Sequence, residues 1–286
     1  MERVNCYNCG SYQCSYYDSE NDFTLVKCDN CGLLYVNPRP FLQEIAKNAE
    51  TGSYAGNKVS CFIGRFSQAK VRRYLAILRE FYDKETLKRG NAGWLDVGCG
   101  HGEFIEALKI YASDKISVTG LEPNTEKRES ARKRGLTVFS RESEACAGKY
   151  KYISLLNVFS HLAEPRKTLE LLKGALEDGG EILIETGHSC HLPRKYHHRP
   201  YNLPDHLSFA NQDIVAGMLK NLGFRIDKIK FYRCELFPNW YQHSIFWEIA
   251  RLILGKSRDL VNFFSKYPNY DMWIKAHLEL PNQNRI

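Results

Sequence analysis

The chain has 286 residues, 43% of them hydrophobic and 26% charged, values of an ordinary globular protein that exclude a fibrous or disordered one. Its formal net charge of +7 is scattered, and the densest basic run, over 127–134, alternates with acids as a solvated helix face does, which does not favour a nucleic-acid partner. The longest apolar stretch, over 245–254, contains Glu248 and Arg251 and is too short to cross a bilayer, so no membrane span is expected.

Two cysteine pairs near the start have the spacing of a metal site. Four residues form these Cys-x-x-Cys pairs: Cys6, Cys9, Cys28 and Cys31. The first ten residues are polar and contain no apolar leader, so a cytoplasmic location is expected. In such a chain the paired cysteines favour zinc binding over disulfides. Four thiolates leave no open coordination position, so we expect a structural zinc ion that stabilises a small ribbon over 1–40, with a strand over 23–27. Cys14 is an alternative ligand with a poorer spacing.

A stiff connector and a long helix are expected after the ribbon. Pro38-Arg39-Pro40 predicts the connector, and a larger domain then follows over 41–286. Apolar residues recur at helical spacing over 62–82, which predicts an amphipathic helix at the edge of a sheet, with Arg72 and Arg73 facing solvent.

The stretch over 93–104, GWLDVGCGHGEF, predicts a strand, a glycine-rich turn and a helix. The turn contains three alternating glycines: Gly98, Gly100 and Gly102. Glycine lets the backbone reverse sharply and come close to a ligand. The dinucleotide fingerprint has its third glycine where this chain has Glu103, so NAD is not favoured. Asp96, near the end of the strand, suits the ammonium group of a cofactor that carries an amino acid.

Two further strands are expected along the same sheet edge. The first covers 115–121 and is followed by Glu122, where an acid in a doubly wound sheet accepts hydrogen bonds from the ribose of an adenosine cofactor. Asn124 or Thr125 caps a helix that ends at Gly135, and a short third strand follows over 136–139.

The fourth strand, over 152–159, is apolar enough to be buried on both faces. Asn157 interrupts it at its carboxyl end, where ligands bind in such sheets, and His161 follows closely. A histidine that only caps the next helix is the alternative for His161. A helix over 165–176 and a fifth strand over 181–185 complete this half of the sheet.

A long polar insertion over 187–211 then follows the fifth strand. It contains five of the nine histidines and three cationic residues: His188, His191, His197, His198, His206, Arg194, Lys195 and Arg199. By position it predicts a substrate lid, and its composition favours an anionic substrate, with a plain surface loop as the alternative. A second metal site is not favoured, because these histidines share no helical face.

The C-terminal part predicts the end of the sheet. A helix begins at Asn211 and ends at Gly223, and the sixth strand covers 224–232. Amphipathic helices over 240–254 and 259–264 suggest an insertion at about 238–267 before a final antiparallel strand over 271–278. A helix is the alternative for this last segment. The aromatic residues of this tail would serve core packing or a homodimer contact.

Three of these segments resemble class I S-adenosylmethionine-dependent methyltransferases: LDVGCGHGEF, VTGLEPN and LLNVFSHLAEP. The resemblance covers about 60–278 and implies an α/β fold, a doubly wound, mostly parallel seven-stranded sheet. It also implies the cofactor-binding residues: Asp96, Gly98, Cys99, Gly100, Gly102, Glu122, Pro123, Glu142, Glu144 and Asn157. Glu142 and Glu144 are alternatives for the adenine amino group. Tyr150-Lys151 departs from the usual aromatic residue followed by aspartate.

The substrate class rests on weaker resemblances. CGLLYVNPRP and DHLSF resemble segments of bacterial methyltransferases associated with sugars and surface polysaccharides. We expect S-adenosylmethionine-dependent methyl transfer to an O or C atom of a small anionic acceptor, such as a sugar, sugar phosphate or nucleotide sugar. His161 and then His206 are the expected catalytic residues, because imidazole titrates near working pH. The alternatives are an RNA methyltransferase whose ribbon binds the nucleic acid, and a non-catalytic ribbon protein that docks a partner.

Overall fold

The computed structural model describes residues 1–54, 59–60, 64–90, 92–112, 116–197, 199–233 and 270–279. His198 and the helices predicted over 240–254 and 259–264 lie outside this part of the chain. None of the described helices is both long and apolar enough to span a membrane.

The strands are β1 (Cys14–Glu20), β2 (Phe23–Cys28), β3 (Leu34–Val36), β4 (Ser53–Tyr54), β5 (Val59–Ser60), β6 (Ala92–Val97), β7 (Ile116–Leu121), β8 (Val138–Phe139), β9 (Tyr150–Leu156), β10 (Leu176–Gly187), β11 (Ser208–Phe209), β12 (Phe224–Arg233) and β13 (Tyr270–Leu278). The helices are α1 (Leu42–Thr51), α2 (Gln68–Phe81), α3 (Lys84–Lys88), α4 (Glu103–Ala112), α5 (Thr125–Arg132), α6 (Glu142–Ala145), α7 (Pro165–Ala175) and α8 (Gln212–Asn221), and two short 3-10 helices cover Phe159–His161 and Arg194–Tyr196.

Seven strands form the central sheet in the order β12-β13-β10-β9-β6-β7-β8. The pairs among β6 to β10 are parallel, and β13 lies antiparallel between β10 and β12. Successive residues of β6 alternate between two faces: Trp94 packs into a cluster with α2 and α4, while Leu95 packs into a cluster with α7 and α8. Helices therefore cover both faces, as the predicted doubly wound fold requires.

The cysteine-containing segment forms a second sheet that includes part of the insertion. The order is β1-β2-β3-β11, and β11 comes from the end of the 187–211 insertion. Leu25 and Leu34 of this sheet share one hydrophobic cluster with Tyr201 and with core residues of α7 and α8. The ribbon is thus packed on the larger unit through a continuous core. The boundary at residue 40 stays a prediction.

Two local predictions need correction. The helix predicted over 62–82 begins only at Gln68, after an extended Ser67. Arg73, expected to face solvent, instead reaches the sheet edge, where its Nη2 lies 2.5 Å from Glu185 Oε1 and 2.9 Å from Asp271 Oδ2. The spacing of apolar residues along α2 could not predict these contacts, because the two carboxylates lie on β10 and β13.

Candidate active site

The glycine turn after β6 is folded against the end of β7. Gly98, Gly100 and Gly102 have φ angles of 69°, 58° and 90°, in the left-handed region that favours glycine. A Cβ at Gly98 would collide with Val158, and one at Gly102 with Leu136. At Gly100 the nearest atom to such a Cβ is a Glu103 oxygen at 3.8 Å. Internal packing therefore favours glycine at both ends of the turn, while a Cβ at Gly100 would meet no close protein atom.

Glu122 ties this turn to the neighbouring strand. Its Oε2 accepts a hydrogen bond from the Gly100 amide at 2.8 Å, and its Oε1 accepts one from the Asn124 amide at 2.9 Å. The side chain is buried, and each carboxylate oxygen keeps a further lone pair for a ligand hydroxyl. Glu122 therefore shapes the turn as well as offering the acceptor oxygens that the sequence predicted.

Buried acids make this region suited to a cation. Asp96, Glu103 and Glu122 are each at most 5% exposed. Burial first, and then the nearby Glu122 and Glu103, raise the pKa of Asp96 to about 7, although the Ser154 hydroxyl donates to Asp96 at 2.6 Å. A positively charged ligand would relieve this destabilisation of the Asp96 carboxylate. The residues present thus fit a donor that carries sulfonium and ammonium groups.

A cavity of about 900 Å³ opens at the carboxyl ends of β6, β7 and β9. One part of its lining is the glycine wall, which we define as residues 96–101 and 122–124. Most of the predicted cofactor-binding residues border this cavity: Asp96, Gly98, Cys99, Gly100, Glu122, Pro123, Glu142 and Asn157. Gly102 lies beneath Leu136, and Glu144 accepts a 3.4 Å hydrogen bond from Ser140. Of the two alternative glutamates, the structure therefore places Glu142 at the cavity.

A second part of the cavity lining is the histidine wall, defined as residues 20–21, 157–162 and 200–206. The rings of His161 and His206 are 4.7 Å apart, at 59° to each other. His161 Nδ1 lies 2.9 Å from the Asp205 carbonyl oxygen and 3.3 Å from Asp205 Oδ1, and His206 Nδ1 lies 2.9 Å from the Tyr201 carbonyl oxygen. Burial, and then His161, lower the pKa of His206 to about 4. His206 is therefore uncharged at neutral pH, and the structure brings both predicted catalytic histidines together.

The ribbon contributes a part of this wall that the sequence did not indicate. At the β1–β2 turn, Glu20 accepts hydrogen bonds from the amides of Tyr201 at 2.8 Å and Leu203 at 3.0 Å. The Asn21 side chain donates to the Leu203 carbonyl at 2.8 Å. The ribbon thus fixes the segment that carries His206. Glu20 and Tyr201 are 181 residues apart, so no local pattern could have revealed their contact.

The described insertion residues before position 200 do not border the cavity. Arg194 Nη2 lies 2.7 Å from Asp18 Oδ1, and Arg199 also pairs with Asp18. Among the described histidines of the insertion, only His206 borders the cavity. Arg194 and Arg199 therefore pair with the ribbon and do not border the cavity, so these two residues give no support for an anionic substrate there.

The charged side chains that do border the cavity are mostly acidic: Glu20, Asp96, Glu103, Glu122, Glu142 and Asp205, against Lys70 and Lys127. Lys70 and its neighbour Tyr74 belong to α2. The sequence predicted only that this helix covers the edge of the sheet, and not that it borders the cavity. Burial raises the pKa of Tyr74 well above its usual value, so this hydroxyl stays protonated and can donate a hydrogen bond.

The four predicted cysteine ligands form a compact cluster in the ribbon. Cys6 and Cys31 Sγ are 3.5 Å apart, as are Cys9 and Cys28 Sγ, and all four lie within 4.8 Å of one another. Zn–S bonds of about 2.3 Å in a tetrahedron give S–S distances of about 3.8 Å, so the residues fit a zinc ion. The glycine after each pair, Gly10 or Gly32, is left-handed and closes the tight turn that lets two thiols converge.

Three features together define a class I S-adenosylmethionine-dependent methyltransferase: the order of strands in the central sheet, the glycine turn after β6 and Glu122 at the end of β7. The family whose description is "Methyltransferase domain" matches residues 66–229, more than half of the chain, and the chain belongs to that family. The alternative of a non-catalytic docking protein is therefore not supported.

Relatives agree on the fold and differ in chemistry. A ubiquinone biosynthesis O-methyltransferase from Erwinia tasmaniensis is 26% identical over 102 residues, which cover 32% of this chain and 41% of that protein. A Haemonchus contortus phosphoethanolamine N-methyltransferase 2 complex with S-adenosyl-L-methionine superposes with a TM-score of 0.53 at 14% identity, covering 73% of this chain and 53% of that one. The [4+2]-cyclase SpnF superposes with a TM-score of 0.50 at 16% identity, covering 76% and 85%. The fold alone thus does not define the reaction.

Proposed function

We propose that this methyltransferase transfers the methyl group of S-adenosylmethionine to an O or C atom of a small, hydroxyl-rich acceptor bound at the histidine wall. The observation that carries the proposal is that the glycine wall, His161 and His206 all border one cavity. The relative from Erwinia tasmaniensis is named an O-methyltransferase, which agrees with transfer to oxygen.

The glycine wall would bind the methyl donor, and the histidine wall would bind the acceptor. The Gly100 backbone, Glu122 and Asp96 would hold the adenosyl and amino-acid parts of the donor, and Glu142, which borders the same cavity, would bind its adenine. When bound, S-adenosylmethionine supplies an electrophilic methyl group. His161, and then His206, would accept the proton of an acceptor hydroxyl. Most of the rate would come from alignment of the acceptor oxygen with the donor methyl group.

A sugar, sugar phosphate or nucleotide sugar is the acceptor class we propose. Lys70 and Lys127 are the two cationic residues at the cavity that could bind an anionic group of the acceptor, because Arg194 and Arg199 bind Asp18 instead. A phosphate would therefore lie near those two lysines, and the sugar hydroxyls near the histidines. We further propose that the four cysteines hold one structural zinc ion, and that the protein is cytoplasmic. The homodimer stays a prediction.

Calorimetry tests the cofactor assignment. Wild-type protein should bind S-adenosylmethionine, and Glu122→Gln should bind it at least about tenfold more weakly, because an amide cannot accept from both backbone donors. Glu170→Gln, on the exposed face of α7, is the matched control and should bind normally. Absence of binding to wild-type protein would refute the cofactor assignment, and equal affinity for all three proteins would refute the role of Glu122.

Release of S-adenosylhomocysteine tests the acceptor class. Turnover should rise with nucleotide sugars or sugar phosphates and not with RNA. Tyr12 and Tyr16, which are 79% and 61% exposed on the ribbon, are the observation that would favour RNA. RNA binding that falls steeply between two salt concentrations, with RNA-dependent turnover, would support that alternative instead.

A further inference from the structure

Three side chains that commonly bind metals converge in the histidine wall. His161, Asp205 and His206 each offer one ligand atom, and these atoms lie within 4.8 Å of one another. Within the described residues, only the four-cysteine group of the ribbon matches this arrangement. The sequence did not favour a metal here, because the histidines of the insertion share no helical face. The structure adds His161 from the end of the fourth strand of the central sheet.

Backbone carbonyls orient both imidazoles. His161 Nδ1 lies 2.9 Å from the Asp205 carbonyl oxygen, and His206 Nδ1 lies 2.9 Å from the Tyr201 carbonyl oxygen. A carbonyl oxygen only accepts, so each Nδ1 is assigned the hydrogen and each Nε2 the lone pair. Histidine ligands of metals are typically held this way, through a hydrogen bond from the other ring nitrogen.

The surroundings suit an ion that is exchanged through the cavity. The side chains of His161 and Asp205 are 32% and 24% exposed, and both residues border the cavity. Neighbouring hydrogen bonds hold the group in place: Glu20 fixes Tyr201 and Leu203, and the Leu207 amide donates to the Ser160 carbonyl at 2.7 Å. Ligands from two separate segments are thus held together before any ion binds.

We propose that His161, Asp205 and His206 bind one divalent transition-metal ion, such as Zn²⁺, Fe²⁺ or Mn²⁺. Two imidazole nitrogens and one carboxylate oxygen form the set that binds such ions while leaving coordination positions open. The open positions would face the cavity and take an oxygen of the acceptor. This inference rests on the proposed function. It narrows the acceptor to one with a hydroxyl group, because the ion would lower the pKa of that hydroxyl in place of a histidine base. The proton would pass to water in the open cavity, and the oxygen would take the methyl group as S-adenosylhomocysteine leaves.

Cobalt titration tests the site without knowledge of the acceptor. Co²⁺ is added to full-length protein that retains zinc at its cysteines. We expect one equivalent to bind with weak visible bands and without a thiolate-to-cobalt charge-transfer band. His206→Ala and Asp205→Asn should weaken Co²⁺ binding at least about 100-fold. His191→Ala changes an exposed histidine of the same insertion and should leave it unchanged.

Three results would overturn the metal site: no Co²⁺ bound, binding unaffected by His206→Ala, or a strong charge-transfer band that shows cobalt at the cysteines alone. Calorimetry with S-adenosylmethionine on the same samples separates the two proposals. Donor binding without a cobalt site refutes only the metal site. Cobalt binding without donor binding refutes only the proposed function.

Discussion

The two walls of the cavity are built in different ways. The glycine wall comes from two neighbouring strand ends, and its defining hydrogen bond, from Gly100 to Glu122, joins residues 22 positions apart. The histidine wall combines the ribbon turn, the end of β9 and the insertion, and its bonds join residues as far as 183 positions apart. One wall is a local consequence of backbone geometry. The other depends on the whole chain folding correctly, so the two should respond to different substitutions.

The largest effect is expected from Gly98→Ala. The new Cβ would sit on a left-handed residue and collide with Val158, so the turn must move and donor affinity should fall at least about 100-fold. Calorimetry measures this loss. Gly90→Ala is the matched control, because a Cβ there meets open space. Normal donor affinity in Gly98→Ala, with its fold intact by circular dichroism, would mean that the turn is not the donor site.

The donor side should also respond to pH through Asp96. Its pKa is raised to about 7 without a ligand, and a cationic donor favours the carboxylate. Affinity should therefore fall as pH drops below about 7, by up to tenfold per pH unit. Calorimetry at pH 6, 7 and 8 measures this slope.

Asp96→Asn is the control for this slope, since its side chain does not ionise and its profile should be flatter. A wild-type affinity that stays constant from pH 6 to 8 would show that Asp96 does not face the charged part of the donor.

The same difference explains what the sequence could predict. Most strands of the central sheet, the antiparallel β13 and the glycine turn were predictable, because hydrophobic period and glycine geometry act over short distances. The contact of Glu20 with Tyr201, the pairing of Arg194 with Asp18 and the place of Arg73 at Glu185 were not. Each joins segments whose spacing carries no periodic signal, and β11 has only two residues in which to show one.

The histidine wall can be tested through Glu20→Gln. One of its two charge-assisted bonds to the Tyr201 and Leu203 amides would be lost, which costs about 1.5–3 kcal/mol. Hydrogen exchange of these two amides should quicken about 10-fold to 100-fold, while donor affinity stays within about twofold. Glu170→Gln again serves as the control. Unchanged exchange at Tyr201 and Leu203 would show that the ribbon does not hold this segment.

The smallest effect is expected from Asp18, which lies behind the histidine wall. Burial alone would raise its pKa, but hydrogen bonds from Arg194, Tyr201 and the Ser19 amide, with the Arg199 charge, lower it from 3.8 to about 2. A lowered pKa stabilises the fold above pH 3.8, and this contribution is lost as pH falls towards 2. We expect about 1–2 kcal/mol, since Arg194 and Arg199 are half exposed and their charges are partly screened.

Urea unfolding of wild type and Asp18→Asn at pH 6 and near pH 2 measures this contribution. Acid also releases cysteine-bound zinc from both proteins, so the informative quantity is their difference in unfolding free energy at each pH. That difference should shrink towards zero in acid. A difference that persists near pH 2 would mean that Asp18 acts through packing. The charge pairing that turns Arg194 and Arg199 away from the cavity would then not stabilise the histidine wall.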